Sequence, residues 1–306
     1  MKDSVYYLRN GQIDFAKWDN CIAGSENGLI YGMSYYLNNM CSQWDALVLN
    51  DYEAVMPLPW RKKWGIYYLY QPFVTAQLGL FSTANTAALL HLFLTHIPAH
   101  FRYWDITLNY KNCFPSHSFP LFFRSNFILS LNASYTTIRS GYKQTTKRNL
   151  KKSTVAVAYI NKEVPVEKII ALNRALHKEK KQKVSEKDYS NFHKLFQHLK
   201  AENKAIAYGA FSDKGHLLSS AVFFLHQQRA YYILPGNTVQ SKTTGASHRL
   251  IDAFIQDHAG QDILLDFEGS DIATVAFFYR SFGATEEKYA ALRFNKLPLF
   301  IKWIKS

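Results

Sequence analysis

Residues Asp262 to Thr285, DILLDFEGSDIATVAFFYRSFGAT, constrain this chain more than any other stretch. Ile263, Leu264 and Leu265 form a short apolar run of the kind a buried strand uses. Asp266, Glu268, Gly269, Ser270 and Asp271 interrupt it with polar groups. Val275, Phe278, Tyr279 and Phe282 then recur at helical spacing, and Gly283 follows, suited to the left-handed position just past a helix. Strand, polar loop and short aromatic helix together make a unit able to hold an activated ester against one side chain. Asp271 is placed to cap the helix.

The rest of the 306 residues reads as alternating strands and helices in both halves. In the first half the expected strands are Val5–Leu8, Trp44–Leu49, Glu53–Leu58, Trp64–Tyr70, Tyr103–Leu108 and Phe127–Leu131. Expected helices cover Ile13–Ile22 and Asn85–Ile97, and Asn50-Asp51 marks a hairpin. In the second half the expected helices are Val166–Lys178, Glu186–Ala201, Ser247–Asp257 and one from about Thr274. Expected strands there are Ala205–Phe211, Leu217–Leu225, Arg229–Leu234 and the run at Ile263, with turns at Asp213-Lys214-Gly215 and Gln227-Gln228. The pattern predicts an α/β (α+β) layer fold with two lobes, 1–150 and 151–306, each a mixed sheet flanked by helices. The closing LRFNKLPLFIKWIK is expected to return to the first lobe as an added strand.

Charge narrows the partners. Lys and Arg number 36 against 23 Asp and Glu, a net charge of +13, which favours phosphates, RNA or an anionic surface. Arg139, Lys143, Lys147, Arg148, Lys151 and Lys152 crowd TIRSGYKQTTKRNLKK, and the spacing by four of the first three predicts one shared helix face. Lys178, Lys180, Lys181 and Lys183 add a second basic run. LPGNTVQSKTTGASHRLIDAF reads as strand, Gly-containing loop and helix, an arrangement that aims backbone N–H groups at phosphates. Lys242 and Arg249 add charge to it, and Thr243, Thr244 and Ser247 add hydroxyls around Gly245 and Ala246. Trp60, Trp64, Tyr67, Tyr68 and Tyr70, with Gln71 and Gln77 beyond them, form an aromatic and polar stretch suited to an acceptor groove.

Cys21, Cys41 and Cys113 are odd in number and lack paired spacing, so neither a disulfide framework nor a zinc site is expected. Pro98 interrupts the register of His91, His96 and His100, and no metal is expected there either. The first residues lack the apolar core of a signal peptide, and no apolar window is long enough to span a bilayer. The expected location is cytoplasmic.

DFEGSD followed by FYRSFG resembles the closing signature of the Fem-type aminoacyltransferases, which are tandem GNAT folds. WDALVLNDYEAVMPLPWRKKWGIYYLYQPF is similar to the N-terminal lobe of bacterial tandem-GNAT proteins. The resemblance implies an acyltransferase that moves an acyl group from acyl-coenzyme A, or an aminoacyl group from aminoacyl-tRNA, to a small-molecule or peptide amine. It implies that Tyr279 protonates the leaving group, with Glu268 or Asp266 as base. Lys242 to Ser247 and Arg249 would hold the donor, and Tyr70, Gln71, Gln77, Lys147 and Arg148 the substrates. In the GNAT pyrophosphate loop two Gly positions lie close together, whereas here Thr244 stands where the first is expected. A non-catalytic RNA- or partner-binding protein on a degenerate GNAT scaffold is the competing expectation.

Overall fold

The computed structural model describes residues 4–84, 86–112, 119–179, 184–269 and 271–297. Cys113, Lys180, Lys181, Lys183, Ser270 and the closing stretch from Pro298 lie outside them. The chain forms two compact units, Met1–Arg124 with Lys288–Ser306, and Ser125–Glu287. Among the described residues no helix is long and apolar enough to cross a membrane.

In the first unit, β1 (Val5–Leu8), β2 (Trp44–Leu49), β3 (Ala54–Lys63), β4 (Ile66–Tyr70), β5 (Phe81–Ser82) and β6 (Phe101–Thr107) accompany α1 (Phe15–Gly24), α2 (Ser34–Met40) and α3 (Ala87–Thr95). Asp14 starts α1 by accepting from the Ala16 and Lys17 N–H groups. β1, β2, β3 and β4 pair antiparallel in that order, β5 pairs with β3, and β4 runs parallel to β6. The expected hairpin turn forms with Asn50 and Tyr52 at positive φ. Trp64, read as the start of a strand, instead forms the β3–β4 turn with Gly65, both at positive φ, and is 72% exposed. Leu90, Phe93 and Leu94 of α3 join Leu47, Met56, Leu69, Trp104 and Ile106 in one apolar cluster.

The second unit begins within β7 (Leu121–Ser130) and continues through α4 (Tyr135–Ser140), α5 (Gln144–Ala156), β8 (Tyr159–Asn161), α6 (Val166–Glu179) and α7 (Glu186–Ala201). Then come β9 (Ala205–Phe211), β10 (Leu217–His226), β11 (Arg229–Asn237), α8 (Ser241–Thr244), α9 (Ala246–His258), β12 (Leu264–Asp266) and α10 (Ala273–Arg280). β13 (Thr285–Asn295) closes the fold, and from Lys288 it belongs to the first unit, where Leu292 faces Ile106 of β6 across an antiparallel pair. In the second unit β8, β9, β10 and β11 are antiparallel neighbours, β11 runs parallel to β12, and β12 runs antiparallel to β7. Each unit therefore has a mixed sheet with one parallel pair among the described residues.

Alternation along β10 shows how the sequence layers this unit. Phe223 stacks on Phe254 of α9 at 3.8 Å, and its neighbour Phe224 stacks on Phe192 of α7 at 5.6 Å. Successive strand side chains point to opposite faces, so adjacent phenylalanines glue helices to both sides of the sheet.

The basic stretch departs from its expected single helix. Gly141 ends α4 and Lys143 caps α5 in extended conformation, so Arg139, Lys143 and Lys147 do not follow one helix face. The break is packed into place. Tyr142 is buried with its hydroxyl donating to Asp252 Oδ1 at 3.1 Å, and Lys143 N–H donates to the Ser281 carbonyl at 2.9 Å.

Arg229, at the start of β11, joins three strands. It donates to Asp266 Oδ2 at 2.6 Å, and both its terminal nitrogens lie 3.3 Å from the Glu287 carboxylate. Burial opposes its charge, but Asp266 and then Glu287 more than offset this and raise its pKa. Removing one member of a buried ion cluster strands the others, at a cost of about 3–5 kcal/mol. Arg229→Gln is therefore expected to lower the urea midpoint sharply, with Asp266 and Glu287 left buried and uncompensated.

Candidate active site

The β11–β12 parallel pair is short. Arg229, Ala230 and Tyr231 face Leu264, Leu265 and Asp266, after which the strands part. β11 runs on to Asn237 and carries a bulge: Val222 faces Ile233 while Ser220 faces Gly236, one residue more on β11 than on β10. Leu234 in the bulge sits at φ 52°, a left-handed conformation that costs a non-glycine residue about 1–3 kcal/mol. The carboxyl ends of parallel strands, where they diverge, are where α/β sheets open a crevice for ligands.

On the β12 side, Asp266 Oδ1 accepts the Glu268 N–H at 2.8 Å while its other oxygen holds Arg229. Glu268 and Gly269 then take φ of 65° and 68°. At Gly269 any Cβ would come within 2.6 Å of the Ser125 carbonyl oxygen, so only glycine fits that step. This turn leaves the Glu268 residue partly exposed but seals its Oε1, which has no hydrogen-bond partner. Burial raises the Glu268 carboxyl well above the ordinary carboxylate range.

Tyr279 of α10 completes the cluster. Its ring stacks on Phe267 at 4.7 Å and meets Tyr232 edge-on at 6.3 Å. Burial first, then Tyr232, Glu268 and Asp266, push the phenol pKa well above its usual value. The structure thus gathers Asp266, Glu268 and Tyr279 into one site. Asp266 is an ion-pair partner there, while burial raises the pKa of both Glu268 and Tyr279.

The Gly-containing loop packs in the same unit. Gly245 takes φ 75° between α8 and α9, and a Cβ there would strike the Asn149 carbonyl oxygen of α5 at 2.2 Å. The Thr243 and Thr244 hydroxyls donate to the Gln240 carbonyl, and the Ser247 hydroxyl donates to Asn237 Oδ1. Ala246 is buried, Lys242 is exposed, and Arg249 lies 3.6 Å from the buried Asp252. His248 packs edge-on against Phe278 at 4.7 Å, and burial lowers its pKa to about 4, leaving a neutral imidazole. The Thr146 hydroxyl of α5 bonds to Ser281 just beyond α10. Basic helix, glycine loop and aromatic helix, read as separate motifs, therefore form one packed assembly. Lys147 and Arg148 lie on the exposed side of α5.

The remaining predicted residues lie in the first unit. Tyr70 is buried under the Arg61 guanidinium, 4.1 Å from its ring centroid. Gln71 clamps the backbone, its Oε1 accepting from Thr107 N–H and its amide donating to the Thr75 carbonyl. Gln77 is 1% exposed and accepts the Tyr110 N–H. Both amides are committed to main-chain groups. Asp271 accepts from Ser125 N–H at 3.2 Å, and the N-cap of α10 is Ile272, with no side-chain cap. Among the described residues no cluster of His, Cys, Asp or Glu is arranged to hold a metal ion.

Three residues escaped the sequence reading: Arg229, Glu287 and the buried Asn126, whose amide donates to Glu287 Oε2 at 3.2 Å. The signal for the first was present, since a lone Arg heads the apolar run of β11.

This arrangement defines a mixed α/β protein whose fold is similar to that of several solved structures. FemX superposes with a TM-score of 0.65 at 10% identity, covering 95% of this chain and 97% of that one. The C-terminal domain of a putative lysylphosphatidylglycerol synthetase from Agrobacterium fabrum gives 0.55 at 10% identity, over 93% and 92%. Saccharomyces cerevisiae N-myristoyltransferase with bound myristoyl-CoA gives 0.51 at 10% identity, over 96% and 83%. No protein-family model matches the chain, and no curated protein matches it in sequence.

The raised Glu268 pKa has a consequence for stability. Its folded pKa lies above its unfolded value, so the unfolded chain loses a proton that the native chain keeps, and stability falls as pH climbs past about 4.3. Glu268→Gln removes that dependence. The melting temperature of the variant relative to wild type is expected to rise steadily from pH 4 to pH 8, as read by thermal scans.

Proposed function

We propose that this protein transfers an acyl group from an activated ester to an amine, with the chemistry in the second unit. The observation that carries the reading is the juxtaposition of Glu268 and Tyr279, both with pKa values raised by burial, at the point where a parallel strand pair parts. The Glu268 Oε1 is buried without a hydrogen-bond partner, which costs stability and is the kind of perturbed environment that clusters at functional sites. The fold shared with FemX and N-myristoyltransferase supports the same class of reaction.

In the proposed step the amine nitrogen bonds to the acyl carbon and the bond from that carbon to the leaving sulfur or oxygen breaks. The Tyr279 hydroxyl gives its proton to the leaving atom, and the proton released by the attacking nitrogen restores the balance through solvent. Glu268, with its pKa raised by burial, lies beside Tyr279 and transfers no proton of its own in this step. The donor we favour is acyl-coenzyme A, on the glycine loop and α9, with its phosphates near Lys242 and Arg249. Aminoacyl-tRNA is the second reading, favoured by the exposed Lys147, Arg148, Lys151 and Lys152 along α5. The acceptor is a small-molecule or peptide amine.

Tyr279→Phe keeps the ring packing and removes only the proton. Turnover is expected to drop about a hundredfold to ten-thousandfold, with donor affinity little changed. The loss should be larger with oxygen-ester donors, because an alkoxide needs a proton more than a thiolate does. Unchanged turnover would return Tyr279 to a packing role. For the donor, titration with aminoacyl-tRNA at rising salt decides. A steep loss of affinity, abolished by charge reversal at the four basic positions of α5, is expected of a tRNA donor. Salt-insensitive or absent tRNA binding leaves coenzyme A.

A further inference from the structure

The first unit holds an open pocket of about 840 Å³, lined by Tyr7, Arg9, Asp45, Trp60, Tyr67 and His100 among others, of which Trp60 and Tyr67 belong to the stretch expected to form an acceptor groove. Tyr7, His100, Tyr67 and Trp60 form a chain of ring contacts along it. Tyr7 meets His100 at 6.1 Å, His100 meets Tyr67 at 5.4 Å, and Tyr67 meets Trp60 at 5.5 Å. At its wall lies Asp45, in a strand whose every residue is buried, and only 6% exposed itself. Its carboxylate accepts from the Tyr7 hydroxyl at 2.6 Å and from the Asn10 N–H at 3.0 Å. Both donors are neutral, and among the described residues Asp45 forms no ion pair. His100 does not supply the charge, because burial lowers its pKa. Arg9 is exposed and likewise makes no ion pair with Asp45.

A buried carboxylate is normally matched by a cation. Here the match is missing, two of the roughly four acceptor directions of the carboxylate are free, and the adjacent walls are aromatic faces of the kind that attract ammonium groups. One such ring already shows the attraction: Lys62 Nζ stands 4.7 Å from the Tyr67 centroid. We propose that this cavity binds a primary organic ammonium ion, its N–H groups on Asp45 and its carbon chain along Trp60 and Tyr67. The binding uses residues of the expected acceptor groove, but its test requires neither an acyl donor nor turnover.

The test uses the full-length protein and n-butylammonium chloride, with binding followed by calorimetry and tryptophan fluorescence. n-Butanol serves as the uncharged control, and sodium chloride at equal ionic strength as the salt control. Wild type should bind the ammonium ion and neither control. Asp45→Asn should weaken binding about tenfold or more, and Tyr67→Leu roughly threefold, with folding checked by circular dichroism. Should Asp45→Asn fail to fold, Tyr67→Leu and the wild-type comparison with n-butanol decide. Equal binding of n-butanol, unchanged affinity in a folded Asp45→Asn or Tyr67→Leu variant, or no wild-type binding at all would overturn the proposal.

Discussion

The second unit depends on one buried guanidinium. Arg229 gathers Asp266 from the end of β12 and Glu287 from β13, and Asn126 of β7 adds a hydrogen bond to Glu287. Charges this deep persist only when each is paired. That requirement fixes where β12 stops and which way Asp266 faces. With one Asp266 oxygen on Arg229 and the other on the Glu268 N–H, the chain is held in the left-handed step at Glu268 and Gly269. The step then directs the Glu268 carboxyl into the interior beside Tyr279.

The two units finish their parallel pairs differently. Where β4 and β6 part in the first unit, Gln71 bridges from beyond β4 to Thr107 of β6 and back to Thr75, and both ends of its amide are used. Where β11 and β12 part in the second unit, no amide closes the gap among the described residues, and Glu268 and Tyr279 lie near it with pKa values raised by burial.

Local pattern made much of the fold legible. α7, β2, β9 and the turns at Asn50 and Gln227 follow directly from periodicity and turn residues, because each is decided by neighbours in the chain. Reading failed where distant residues decide. Nothing near Gly141 announces that Tyr142 will be drawn inward by Asp252, more than a hundred positions away, and so break one basic helix into two. The pairing of β13 with β6 has the same origin, since those strands lie far apart in sequence.

The same division governs the site. The sequence by itself determined the class of fold, the closing strand–loop–helix unit, and the presence of Asp266, Glu268 and Tyr279 within it, because composition and spacing along one short segment suffice for these. Only the tertiary structure decided their chemical states. Whether a carboxyl is an ion-pair partner like Asp266 or one whose pKa burial raises, like Glu268, depends on what surrounds it in space. It was likewise tertiary packing that committed Gln71 and Gln77 to backbone groups and set Asp45 against an aromatic wall, since burial and partners are properties of the folded chain and not of any window of its residues.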